Sequence, residues 1–119
     1  MKTEDGKTDV RRAAAGLKTV WITGASSGIG EALSREYNSR GAFVVLSARR
    51  ADVLQTVRQG LEYPERALIW PLDVTDFDNC ADITGRLLNE VGSIDMFINV
   101  AGIDYKIVRR LEPEYDNPN

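Results

Sequence analysis

The sequence predicts an α/β fold, a doubly wound parallel sheet with helices on both faces, and three observations predict it. Short apolar, β-branched or aromatic runs occur at Thr19–Thr23, Phe43–Leu46, Ala67–Trp70 and Met96–Val100. Between them, apolar residues recur at helical rather than alternating spacing. Glycines stand at the ends of the helical stretches, at Gly41, Gly60 and Gly92. Strands that alternate with helices of this length require right-handed crossovers, which make the strands parallel. The expected spatial order is 3-2-1-4.

Each element has its own reason. Thr19-Val20-Trp21-Ile22-Thr23 ends at a glycine and reads as a buried strand. After Gly30 the period changes: Ile29, Leu33 and Tyr37 form an apolar stripe, with Glu31, Arg35 and Glu36 on other faces. Phe43-Val44-Val45-Leu46 is apolar on both sides, as a strand inside a parallel sheet must be. Leu54, Val57 and Leu61 mark a second helix from about Ala51. Pro71 is tolerable because it lies at the end of the third strand. Thr75 and Asp78 resemble a capping box opening a third helix, along which Phe77, Cys80, Thr84, Leu87 and Val91 keep helical spacing. The expected boundaries are a polar leader at 1–17, one domain at 18–103, and an irregular tail at 104–119 holding at most one short helix.

Composition removes several classes of function. The 119 residues have room for one domain, and 43% are hydrophobic, enough for a packed core. A net charge of −3 gives no basic footprint for nucleic acid. One cysteine and no histidine exclude an internal disulfide and the common zinc sites. Cys80 has no histidine to activate it and reads as a small buried thiol. No apolar run approaches the roughly 20 residues of a membrane span, and the leader has no apolar core. The expected setting is soluble and cytoplasmic, with no membrane span and no metal.

Chemistry concentrates where the first strand meets the first helix, at Thr23-Gly24-Ala25-Ser26-Ser27-Gly28-Ile29-Gly30. A glycine-rich turn with a strand before it and a helix after it is the context of a Rossmann phosphate-binding turn. Gly24 permits the tight turn, Gly28 lets backbone approach a pyrophosphate, and Gly30 allows close helix packing. The helix N-terminus offers free N–H groups and partial positive charge. Gly24, Ser26, Ser27, Gly28, Ile29 and Gly30 are therefore candidate cofactor-binding residues. A turn that binds nothing is the bland alternative.

The spacing Gly-x-x-x-Gly-x-Gly after Thr23 resembles the short-chain dehydrogenase/reductase family. Three further segments from this sequence agree. Asp73-Val74 follows the third strand, where members of that family contact adenine; Gly92-Ser93-Ile94-Asp95 resembles the entry to the fourth strand; Asn99-Val100-Ala101-Gly102 resembles Asn-Asn-Ala-Gly. The resemblance covers about Lys18 to Ile103. It implies a nicotinamide dinucleotide partner, with Asp73, Val74, Asn99, Ala101 and Gly102 lining its cleft. Val100 departs from the pattern, and modest loss of order is expected there.

Cofactor choice is read at Leu46-Ser47-Ala48-Arg49-Arg50. An NAD(H)-selective site places a carboxylate where Ala48 stands, whereas Arg49 and Arg50 suit the 2′-phosphate of NADP(H). Both arginines could instead be solvated loop charges. By resemblance the reaction is hydride transfer assisted by a Tyr, a Lys four residues later, a Ser and an Asn. The four tyrosines are followed at that spacing by Gly41, Ala67, Arg109 and Asn119, so the Tyr/Lys pair is not in these residues. The expectation is a truncated chain that binds NADP(H) without turnover, with the fourth strand's outer edge exposed. That edge would favour self-association or pairing with a full-length relative. The alternative is a non-catalytic nucleotide-binding or interaction module. Trp-Ile-Thr-Gly-Ala-Ser-Ser-Gly-Ile-Gly with Leu-Ser-Ala-Arg-Arg looks like reductases of lipophilic carbonyls.

Overall fold

The fold was obtained as a computed structural model, which describes residues 18–73, 77–100 and 106–111 (77–80 and 106–111 by their backbone). Five strands form one sheet: β1 (Thr19–Thr23), β2 (Phe43–Ser47), β3 (Ala67–Ile69), β4 (Ile94–Asn99) and β5 (Lys106–Leu111). Three helices connect the first four: α1 (Gly28–Ser39), α2 (Ala51–Gln59) and α3 (Phe77–Val91). The sheet order is β3-β2-β1-β4-β5. Its first four strands are parallel and in the expected 3-2-1-4 order.

Alternation along the central strands divides the core between the two faces of the sheet. Val20, Ile22, Val44 and Leu46 join Leu54 and Val57 of α2 on one face. Trp21, Phe43 and Val45 join Leu87, Leu88 and Val91 of α3 on the other. Each fully buried aliphatic side chain contributes roughly 1.5–3 kcal/mol by leaving water. Trp21 packs on Phe97 with ring centroids 4.6 Å apart. Gly41 and Gly92, just beyond α1 and α3, have φ of 99° and 90°, a left-handed conformation that costs glycine little. The Thr75–Asp78 capping box lies outside the residues whose side chains are described.

Two expectations need correction. The apolar stripe of α1 was expected to run through Ile29, Leu33 and Tyr37. Leu33 and Tyr37 do pack against the core, but the buried row is Gly30, Ser34 and Asn38, and Ile29 is 56% exposed. The cause is close approach. Gly30 has no side chain to hold α1 away, and the two polar residues are satisfied where they are buried. The Ser34 hydroxyl donates to Gly30 O at 2.7 Å. The Asn38 amide donates to Tyr63 O at 3.0 Å and accepts from Tyr63 N at 2.8 Å.

The second correction concerns the tail. Residues 106–111 are neither irregular nor helical. They form β5, antiparallel to β4, with Asn99 opposite Lys106 and Ile94 opposite Leu111. Backbone groups on the open side of β4 need partners, and the following segment supplies them by folding straight back. Three cations in six residues hid the strand from a pattern based on alternating polarity. The outer edge of β4 is thus paired, and β5 is the terminal strand of the sheet.

Candidate dinucleotide-binding site

The candidate site lies at the C-terminal ends of β1, β2 and β4, where the chain reverses direction across the sheet. Gly24 has φ +71°, and a Cβ there would stand 3.1 Å from the Val100 carbonyl oxygen. At Gly30 a Cβ would collide with the Gly24 carbonyl and lie 2.9 Å from the Ala25 Cα. These two glycines allow backbone to touch backbone. Gly28 differs: a Cβ would meet nothing within 4 Å. Its side faces open space.

Ser27 caps α1. Its Oγ donates to Gly24 O at 2.8 Å and accepts from Gly30 N at 3.1 Å. Its own N–H donates to Gly24 O at 3.0 Å. That accounts for two of the four N–H groups a helix start leaves free. The N–H groups of Gly28 and Ile29 have no hydrogen-bond partner among the described residues. Both residues are exposed, as is Ser26. The turn therefore presents two bare amides at the positive end of the α1 dipole.

The turn is tied to its surroundings from below. Ala25 N donates to Ser47 O at 3.0 Å, joining the turn to the end of β2. Thr23 Oγ1 donates to Asn99 Oδ1 at 2.7 Å, joining the ends of β1 and β4. Asp95 accepts the Thr19 N–H at 2.8 Å, fastening the other end of the same strand pair. Val100, the departure from the expected motif, is 7% exposed and packs in the core below Gly24. Its N–H donates to Thr23 O at 3.3 Å.

The two arginines separate clearly. Arg50 is held by Asp52, with Nη2–Oδ2 at 2.7 Å and Nε–Oδ1 at 3.2 Å. That hydrogen bond, with the accompanying charge attraction, raises the Arg50 pKa and holds the Asp52 carboxyl below its usual range. Arg49 is exposed and has no ion pair or hydrogen bond among the described residues. Ala48, half-buried, places no charge beside it. Asp73 is half-buried, one residue beyond Leu72, whose N–H donates to Ala48 O at 2.9 Å. Val74, Ala101 and Gly102 lie outside the described residues. Sequence reasoning singled out neither Ser47 nor Asn38, because a serine ending a strand and an asparagine within a helix carry no pattern of their own.

A glycine turn at the switch point of a doubly wound parallel sheet defines the class to which this chain belongs. The family model for short chain dehydrogenases matches residues 18–116. The chain belongs to that family, an oxidoreductase family whose members bind nicotinamide dinucleotides. It is 42% identical over 88 residues to mouse dehydrogenase/reductase SDR family member 7, covering 70% of this chain and 26% of that protein. It is 43% identical over 89 residues to 11-beta-hydroxysteroid dehydrogenase A of Sesamum indicum, covering 72% and 25%. Among solved structures, an alcohol dehydrogenase from Thermococcus sibiricus complexed with 5-hydroxy-NADP superposes with TM-score 0.61 at 31% identity, covering 68% of this chain and 35% of that one. A 3-ketoacyl-(acyl-carrier-protein) reductase from Brucella melitensis complexed with NADH superposes with TM-score 0.59 at 28% identity, covering 67% and 32%. The chain thus spans about a quarter of the length of the first two relatives. No helix among the described residues is long and apolar enough to cross a membrane.

Proposed function

We propose that this chain holds NADP(H) across the C-terminal ends of β1, β2 and β4, and that the whole protein is an alcohol/carbonyl oxidoreductase. The bare amides of Gly28 and Ile29, exposed at a helix N-terminus, carry this reading. A pyrophosphate supplies the acceptor oxygens those amides lack, and open space at Gly28 admits it. Arg49, without a partner among the described residues, grips the 2′-phosphate, while Arg50 keeps its place against Asp52. Asp73 and Val74 flank the adenine, and Asn99, Ala101 and Gly102 line the nicotinamide half. Ser26 offers a hydroxyl beside the phosphates, and Ser27, its hydroxyl held between Gly24 O and Gly30 N, keeps the turn in shape for them. When bound, the dinucleotide donates or accepts the hydride.

The substrate proposed is a lipophilic carbonyl or secondary alcohol. The printed name of the sesame relative, a hydroxysteroid dehydrogenase, supports that class. A second reading is a non-catalytic nucleotide-binding or interaction module.

Titration calorimetry with NADPH and NADH tests the reading. The expected result is tighter binding of NADPH. The double variant Ala48→Asp, Arg49→Ala should lose about tenfold or more for NADPH and far less for NADH. Equal losses for both would refute the assignment. A carbonyl-reduction assay on the same protein separates the enzyme from the silent module.

A further inference from the structure

We infer that Ser47 is a positioning residue for the adenosine half of the dinucleotide, an inference that rests on the nucleotide-binding reading above. Ser47 ends β2 and is fully buried, one residue before Ala48 and two before Arg49. Its hydroxyl works in both directions. It accepts the indole N–H of Trp21 on β1 at 2.8 Å and donates to the carbonyl of Trp70 beyond β3 at 2.5 Å. Its own carbonyl accepts the N–H of Ala25 in the glycine turn at 3.0 Å. A single residue thus touches all three segments that frame the proposed adenosine site.

The bond to Trp70 matters because the ladder is thin there. β3 ends at Ile69, and Pro71 has no N–H to give. The end of β2 is fastened to residues 70–72 by Trp70 N to Leu46 O at 2.9 Å, Leu72 N to Ala48 O at 2.9 Å, and the Ser47 hydroxyl between them. These bonds set where Asp73 lies relative to Arg49. Without the hydroxyl, the Trp21 indole N–H and the Trp70 carbonyl each lose a partner, and the end of β2 loses one tie to β1 and one to the segment after β3.

The test compares the full 119-residue chain with Ser47→Ala and Ser47→Thr, titrated with NADPH and with 2′,5′-ADP, which carries only the adenosine half. Ser47→Ala should bind 2′,5′-ADP roughly three- to tenfold more weakly, lose NADPH affinity by the same factor, and recover when Thr restores the hydroxyl. Near-UV circular dichroism of the two tryptophans confirms that the variants are folded. Should Ser47→Ala not fold, Ser47→Cys, of similar size but a weak donor, takes its place. Unchanged 2′,5′-ADP affinity in a folded variant overturns the inference alone. A larger loss for NADPH than for 2′,5′-ADP also overturns it, since that pattern reports general loosening. A wild-type chain that binds neither ligand overturns the functional reading itself.

Discussion

The two ends of the central strand pair are built on different principles. At the C-terminal end of β1, a run of seven residues from Gly24 to Gly30 shapes itself: Gly24 takes a left-handed φ, Ser27 caps the helix, and Gly30 lets the helix close onto the turn. Its shape comes from contacts that are local or depend on a missing side chain, and one long-range bond, Ala25 N to Ser47 O, ties it to β2. On the far side of β4, nothing local declares a strand. Residues 106–111 are extended because β4 has an open edge beside them. The first region would keep its tendency in many contexts, whereas the second exists only because its partner does. The proposed site sits on the self-specified turn, and the edge that protects the sheet is borrowed.

The contrast can be broken most strongly at Gly30. Alanine there drives a methyl into the Gly24 carbonyl and to 2.7 Å from the Gly24 carbonyl carbon, backbone that cannot step aside. Gly30→Ala should lose about 3 kcal/mol in urea unfolding and all measurable NADPH binding. Wild-type stability would show that α1 does not sit this close.

A smaller effect is expected at β5, where the two proline variants should differ. Val100 N–H turns toward β1, so alternation along β4 turns the Phe97 groups toward β5. Phe97 is opposite Val108, and Val108→Pro therefore removes a ladder bond, costing about 2 kcal/mol and raising concentration-dependent association. Ile107, the neighbour, directs its N–H to the outer edge, and Ile107→Pro should cost less and reduce association. Sedimentation at several concentrations checks both; identical behaviour would mean the register is wrong. The smallest change is Ser27→Ala, which removes the cap for about 1 kcal/mol, read as a shift in the urea midpoint.

Much of this was legible beforehand, and the reasons differ by element. Phe43–Leu46 is apolar on both faces and Thr19–Thr23 is β-branched and aromatic, which suits strands covered on both sides, so their parallel pairing followed from composition. The glycine turn was legible because its residue types are steric requirements. α1 was legible as a helix yet not in its orientation. Hydrophobicity pointed to Ile29, but the closest approach is made by Gly30, Ser34 and Asn38, and the polar atoms of the last two find partners only when α1 is docked. Arg49 and Arg50 were equivalent on paper, and the Asp52 carboxylate separated them.

By itself, then, the order of residues determined the alternation of strands and helices, the parallel 3-2-1-4 arrangement and the place of the glycine turn. Each of these follows from periodicity or from the steric demands of single residues. Tertiary structure alone decided that β5 closes the β4 edge and that Ser47 links three segments. Those outcomes depend on groups far apart in the chain whose hydrogen bonds form only after the backbone has brought them within about 3 Å.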